Sequence, residues 1–367
     1  MERVHHGRAL RAWRLFASRL LWCVPLAGFL SFASPATGAA AFPVKPVRIV
    51  VPFPVSGPTD IRGTSRMTRT YKLIAEHAPP AISDTLARLT AQAIRADATH
   101  GAILERQPGG MTTRGAAAVA RAPADGHTLL LASNATIVIS PQYLTDVGYE
   151  PVRDFVLVAP LVTMPFVLMV NSRVPVDRPR EFVAWLKVRP GEVNYGSSGG
   201  GSTGHLAAEF FRRIAGVDIV HVSYNGGLAA LNGIAVNQIS FMFAALPLAL
   251  PYVTSEHVRA LGIAGSRRAT SLPDLPTLAE SGVRGLEIEG WFAVFAPARS
   301  PQTAVAWLAE RIVPAIDDPA VQRRLVALGL EPVTEQRAQF ATRIHSETER
   351  WAPMLRTSRP VAPEPAS

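Results

Sequence analysis

The sequence predicts an α/β protein built on mainly parallel sheets flanked by helices, and three observations point there. Short runs rich in Val, Ile and Leu alternate with segments whose apolar residues fall at helical spacing. Polar or glycine-rich loops follow several of those runs, at the strand ends where such folds hold ligands. Once an N-terminal export segment is set aside, about 326 residues remain, more than one core usually serves, so two domains are expected.

The chain opens on Arg3, Arg8, Arg11, Arg14 and Arg19, continues through apolar Leu20 to Phe32 and ends in the small residues Ala39, Ala40 and Ala41. This is the order of a secretory signal over residues 1–41, cut near Ala41, and it predicts a periplasmic protein. A membrane anchor is the competing reading, but Pro25 interrupts the apolar run, which is short for a span. Cys23, the chain's one cysteine, lies inside this segment and follows Trp22 rather than the small residue a lipoprotein signal requires. The mature protein therefore has no cysteine, which excludes disulfides, thiolate metal sites and cysteine nucleophiles. Removing 1–41 takes away five Arg and one Glu, so the net charge falls from +9 to +5. The remaining basic residues are scattered, without the stripe that nucleic acid binding requires.

Strands are expected at Val47 to Val51, Thr128 to Ala132, Phe166 to Val170, Ile219 to Val222, Ile239 to Phe243 and Phe292 to Phe295. Between them, Arg180 to Val188, His205 to Ile214 and Leu228 to Val236 read as helices. The tail 358–367, with three prolines in ten residues, reads as disordered. Loops at Pro54 to Asp60, Ser133 to Thr136, after Tyr195, and at Tyr224 to Gly227 follow strands. Several such loops suggest a site assembled from two domains facing each other across a cleft.

The stretch from Asn194 to Leu206, NYGSSGGGSTGHL, carries the strongest local signal. Small residues at a helix N-terminus expose N–H groups and hydroxyls that hold an anion. The same stretch satisfies two catalytic patterns. Gly196-x-Ser198-x-Gly200 matches a nucleophile elbow, with Asp274 and His345 downstream in hydrolase order, although a segment this rich in Gly and Ser satisfies it by composition. Gly199-x-Gly201-x-x-Gly204 matches a dinucleotide fingerprint, but the next strand ends Val222-Ser223-Tyr224 without the required carboxylate. His205, in the first helical turn, is read as making a structural hydrogen bond, with a ligand contact as its alternative, and His221 as a core histidine. Asp60 is read as a helix N-cap. Trp291 either packs in a hinge or covers a ligand. No His and carboxylate spacing suits a metal, and no cofactor is expected.

Many segments in order resemble the extracytoplasmic solute-binding receptors of tripartite tricarboxylate transporters, the Bordetella uptake gene (Bug) receptors. They are FPVKPVRIVVPF at Phe42 to Phe53, PTD at Pro58 to Asp60, ADGHTLLL at Ala124 to Leu131 and YEPVRDF at Tyr149 to Phe155. The resemblance continues through PGEVNY at Pro190 to Tyr195 with the loop to Leu206, VHVSY at Val220 to Tyr224, LPDLPT at Leu272 to Thr277, and Gly290-Trp291-Phe292. It implies a two-lobed, type II periplasmic-binding-protein fold with a ligand cleft between the lobes, a small organic acid as ligand, a membrane permease as partner, a monomeric state and no catalysis. One lobe would comprise 42–166 plus 291–357 and the other 167–290. The implied ligand residues are Ser56, Gly57, Thr59 and Asp60 with Ser133 and Thr136 on one side. Ser197, Ser198, Ser202, Thr203 and His205 face them, with Tyr224 and Asn225 behind and Trp291 near the hinge.

Four departures from that family's pattern stand out. Its Phe-Pro-Pro-Gly-Gly loop is Phe53-Pro54-Val55-Ser56-Gly57 here, and its Gly-Ala-Gly-Gly-Asn stretch is Gly109-Gly110-Met111-Thr112-Thr113, a bulkier lining. Ala244-Ala245 stands where an Asp is usual. An apparent insertion of about residues 61–83 separates Asp60 from the helix around Asp84, so either aspartate is a candidate cap. A lid, a transporter contact or the loss of binding are all open roles for that insertion.

Overall fold

The structure, a computed structural model, describes residues 42–53, 82–96 and 100–357. The signal segment with Cys23, the loop carrying Ser56, Gly57, Thr59 and Asp60, the apparent insertion up to residue 81 and the tail 358–367 lie outside the described residues.

One lobe is built on β1 (Val47–Val51), β2 (Ala102–Arg106) and β3 (Thr128–Ser133). β1 lies between the other two and is parallel to both. β3 is buried at every position, as expected for a parallel strand covered on both faces. Helix α1 (Ile82–Arg95) packs on β1 and β2 and buries Leu86, Ala87, Thr90, Ala91 and Ile94 along one stripe. Helix α2 (Thr113–Ala120) precedes β3. After β3 come a π-helical turn (Ala135–Ile139), α3 (Ser140–Tyr143) and α4 (Pro151–Asp154).

Strand β4 (Phe155–Asn171) is much longer than the expected Phe166 to Val170, because Pro160 and Pro165 mask its first part in the sequence. The ladder absorbs Pro160 by a register shift between Pro160 and Val162. The second lobe follows: α5 (Pro179–Lys187), β5 (Asn194–Ser197), α6 (Thr203–Ala215), β6 (Val220–Ser223), α7 (Gly227–Ala235), β7 (Phe241–Ala245), α8 (Leu246–Ala249) and β8 (Val258–Ile263). β5 is parallel to β6 and β7. The chain returns through β9 (Glu289–Pro297) to α9 (Gln302–Asp317), α10 (Pro319–Ala327), β10 (Glu331–Pro332) and α11 (Arg337–Thr357).

The sheet order is β2-β1-β3-β9-β4-β7-β5-β6, with β8 and β10 also paired to β4. Parallel pairs lie at both ends, while β4 and β9 run antiparallel between them. β4 pairs with β9 as far as Pro165 and with β7 from Phe166 onward. β4 therefore joins the two ends of the sheet.

Asp84 lies inside the first turn of α1, where its carboxylate accepts from Arg88 at 2.8 Å and also pairs with Arg106. Although burial pushes the other way, these two arginines hold the Asp84 carboxyl below its usual range. Its side chain is thus spent on arginines, not on capping. Among the described residues no helix is long and apolar enough to cross a membrane.

Candidate functional site

The Gly/Ser stretch of the sequence lies between β5 and α6. Ser202 is the N-cap of α6: its backbone is extended and its hydroxyl accepts the His205 N–H at 3.3 Å. The helix start sits hard against β7, since a Cβ on Gly204 would lie 2.5 Å from the Phe243 carbonyl oxygen. Only glycine permits that approach.

Much of the loop's donor capacity is consumed internally. Gly199 N–H donates to Ser197 Oγ, Gly201 N–H to His205 Nδ1 at 3.1 Å, and Ser202 N–H to the Gly199 carbonyl. Ser197 is fully buried, with Oγ 2.7 Å from His221 Nε2 and 3.0 Å from the Gly199 carbonyl. Ser198 is exposed, and the N–H groups of Thr203 and Gly204, both buried residues in the first turn of α6, have no intrahelical acceptor.

Behind the loop lies a polar stack. The His205 and His221 rings are 4.2 Å apart, and the Tyr195 hydroxyl donates to Glu209 at 2.8 Å. Burial, then the neighbouring His221, lowers the His205 pKa to about 4, so the ring is neutral and Nδ1 is free to accept from Gly201. Burial also lowers that of His221. His205 is thus a brace for the loop. The Tyr224 ring packs inward, for a Cβ on Gly233 would meet its hydroxyl at 2.5 Å. Asn225 beside it is exposed.

The facing wall follows β3. Ser133, Asn134 and Thr136 are all buried, and the Ser133 N–H donates to Thr136 Oγ1 at 3.4 Å. The π-helical turn that begins at Ala135 is a device often found at functional sites. Asn134 Nδ2 reaches across to Thr203 Oγ1 and to the Glu289 carbonyl, each at 3.4 Å, so this wall touches α6 directly. A second strip follows β2, where Met111 and Thr112 have φ of 53° and 74°. Such left-handed backbone costs a non-glycine residue about 1–2 kcal/mol. Two bonds hold it there: Ser140 Oγ donates to the Met111 carbonyl, and Thr112 Oγ1 and Thr136 Oγ1 lie 2.9 Å apart.

The two walls meet at Gly201. A Cβ there would lie 2.6 Å from Met111 Cε and 2.8 Å from the Tyr143 ring. Asn134, Met111, Thr112 and Tyr143 therefore adjoin the candidate loops, although they are not among the residues expected from the sequence. Asn134 and Met111 stood in stretches it singled out; nothing in the sequence marked Tyr143. Trp291 is fully buried in β9 and its Nε1–H donates to Glu347 on α11 at 2.7 Å. That indole donor is already spent on the protein.

The catalytic patterns gain nothing from this geometry. His345 is exposed on α11 beside Glu349, Asp274 is exposed, and among the described residues the histidine whose ring bonds a serine of this loop is His221, on Ser197 rather than Ser198. Among the described residues no group of three His, Cys, Asp or Glu could hold a metal ion. Where Asn134 and Thr112 meet Thr203 and Thr136, the polar groups are uncharged hydroxyls and amides.

Residues 86–359 match the model of the tripartite tricarboxylate transporter family receptor. The chain belongs to this family. Its fold agrees closely with solved receptors. Rpa4515 of R. palustris, solved with adipate, is 27% identical and superposes with a TM-score of 0.72 over 86% of this chain and 98% of that one. MatC of Rhodopseudomonas palustris, with bound malate, is 28% identical with a TM-score of 0.69 over 86% and 100%. The periplasmic binding protein BugD is 26% identical with a TM-score of 0.68 over 86% and 98%. This receptor thus shares the two-lobed architecture of that family.

Proposed function

We propose that this receptor is exported to the periplasm, captures a small carboxylate-bearing metabolite between its lobes as a monomer, and delivers it to a membrane permease. The lobes on this reading are 42–166 plus 291–357 and 167–290. The observation that carries it is the meeting of two uncharged polar stretches, Ser133 to Thr136 and Ser198 to Thr203, joined by the Asn134 to Thr203 bond. The solved relatives with adipate and malate support the ligand class. The positive end of α6 favours an anion without any Lys or Arg. Ser133, Thr136, Ser198, Ser202 and Thr203 are the ligand residues on this reading, joined by Ser56, Gly57, Thr59 and Asp60 of the loop after β1. Ser197 and His205 act from behind, through the bonds that shape the loop.

Thermal unfolding of the secreted protein against mono-, di- and tricarboxylates tests the reading. A true ligand raises the melting temperature with concentration by mass action. A flat response across all classes refutes it.

A further inference from the structure

Tyr143 and Met111 occupy a position that no element of the functional reading uses. Tyr143 ends α3 and is 7% exposed, and its ring lies across Gly201, on the helix-entry loop of the opposite lobe. Its hydroxyl points at Gly200, where a Cβ would be 3.4 Å away. Among the described residues that hydroxyl makes no hydrogen bond, although the Thr136, Ser197 and Ser202 side chains are engaged. Burial raises the Tyr143 pKa, so the group remains a donor at any physiological pH. An unspent donor beside the first turn of α6 suits an anionic oxygen.

Met111 closes the same flank. Its terminal methyl reaches the space over Gly201, and its backbone is held at φ 53° by the bond from Ser140 to its carbonyl. A strained residue fixed by its surroundings is a feature that clusters at ligand clamps. A thioether here takes up length that the cleft would otherwise offer to a ligand.

We propose that Tyr143 and Met111 form the selectivity wall of the cleft: the Tyr143 hydroxyl donates to one carboxylate of the ligand, and the Met111 side chain excludes longer acids. This rests on the receptor reading above. The strongest consequence is that the two residues act separately, one on affinity and one on length.

Isothermal titration of the protein recovered from the periplasm, with malate and with the longer adipate as probes, tests it. Tyr143→Phe keeps the ring on Gly201 and removes only the hydroxyl; it is expected to weaken the bound acid about tenfold or more, as loss of a bond to a charged group does. Met111→Gly tolerates the positive φ and opens the flank; it is expected to shift the adipate-to-malate preference about tenfold toward adipate. Should the wild type bind neither probe, adipate binding gained in Met111→Gly still supports the wall. Variants that bind as the wild type does, with the same preference, overturn the wall and leave the receptor reading standing. No binding of either acid by wild type or variant overturns the wall, and the receptor reading is then decided by the wider screen of acids.

Discussion

The indole N–H of Trp291 donates to the carboxylate of Glu347 across 2.7 Å in the interior, joining the strand that returns between the lobes to the last helix. Burial, only partly offset by that bond, raises the Glu347 pKa above its ordinary value. The folded protein therefore binds a proton that the unfolded chain releases once pH exceeds the ordinary glutamate value of 4.5. Stability from this group is present below that value and is lost as pH rises toward the raised pKa. Glu347→Gln is expected to flatten the fall while its carbonyl still accepts from Trp291. Trp291→Phe, which strands the carboxylate, is expected to cost about 1–3 kcal/mol. Urea unfolding from pH 4 to 8 reads both, and an unchanged slope in Glu347→Gln refutes the assignment.

His205 works in the opposite direction. Its folded pKa is about 4 against an unfolded 6.5, so the unfolded chain binds the extra proton between these values. Stability is complete above about pH 6.5 and falls as the solution is acidified toward pH 4, by about 3 kcal/mol at most. Protonation at Nδ1 also removes the acceptor of the Gly201 N–H, which loosens the loop. His205→Asn can present a side-chain oxygen to that N–H without titrating. It should show a smaller loss of stability between pH 6.5 and 4 than the wild type; equal losses would remove His205 from this role.

Much of this receptor was legible before its fold was known, and the exceptions have physical causes. Helix α6 and its loop could be read because capping and glycine requirements are local: Ser202 caps, and Gly204 is needed under Phe243. β1 and β3 could be read because strands buried on both faces are continuously apolar. β4 was seen only in its second part because Pro160 and Pro165 argue locally against a strand, and only the ladder with β9 overrules them. Tyr143 was invisible for a different reason. Its place in the site comes from the approach of Gly201, 58 positions further along, and no local pattern encodes that. Neither could the sequence show that several of the loop's N–H groups would be used on Ser197, Gly199 and His205 instead of a ligand.

Gly201 has little room to change. Its φ of 74° would cost alanine about 1–2 kcal/mol, and the added Cβ would press on Met111 and Tyr143 together. Gly201→Ala is therefore expected to lower the urea midpoint and weaken ligand binding. Adding Met111→Ala should recover only part of the loss, since the Tyr143 ring still stands 2.8 Å from the new atom. Full recovery in the double variant would show that the backbone conformation carries no cost there.

Ser202 separates a structural from a ligand-binding role at the same loop. Its hydroxyl accepts the His205 N–H, so Ser202→Ala should cost about 1 kcal/mol of stability and Ser202→Gly only a few tenths, the ranking expected of an N-cap. A hydroxyl that also touched the ligand would make both variants lose affinity alike, because both lack the oxygen. Urea midpoints and titration of the bound acid, measured on the two variants side by side, distinguish the cases. Stability that follows the cap ranking with equal losses of affinity assigns Ser202 to both roles. Unchanged affinity in Ser202→Gly confines it to the cap and leaves ligand contact on this wall to Ser198 and the first-turn groups of Thr203 and Gly204.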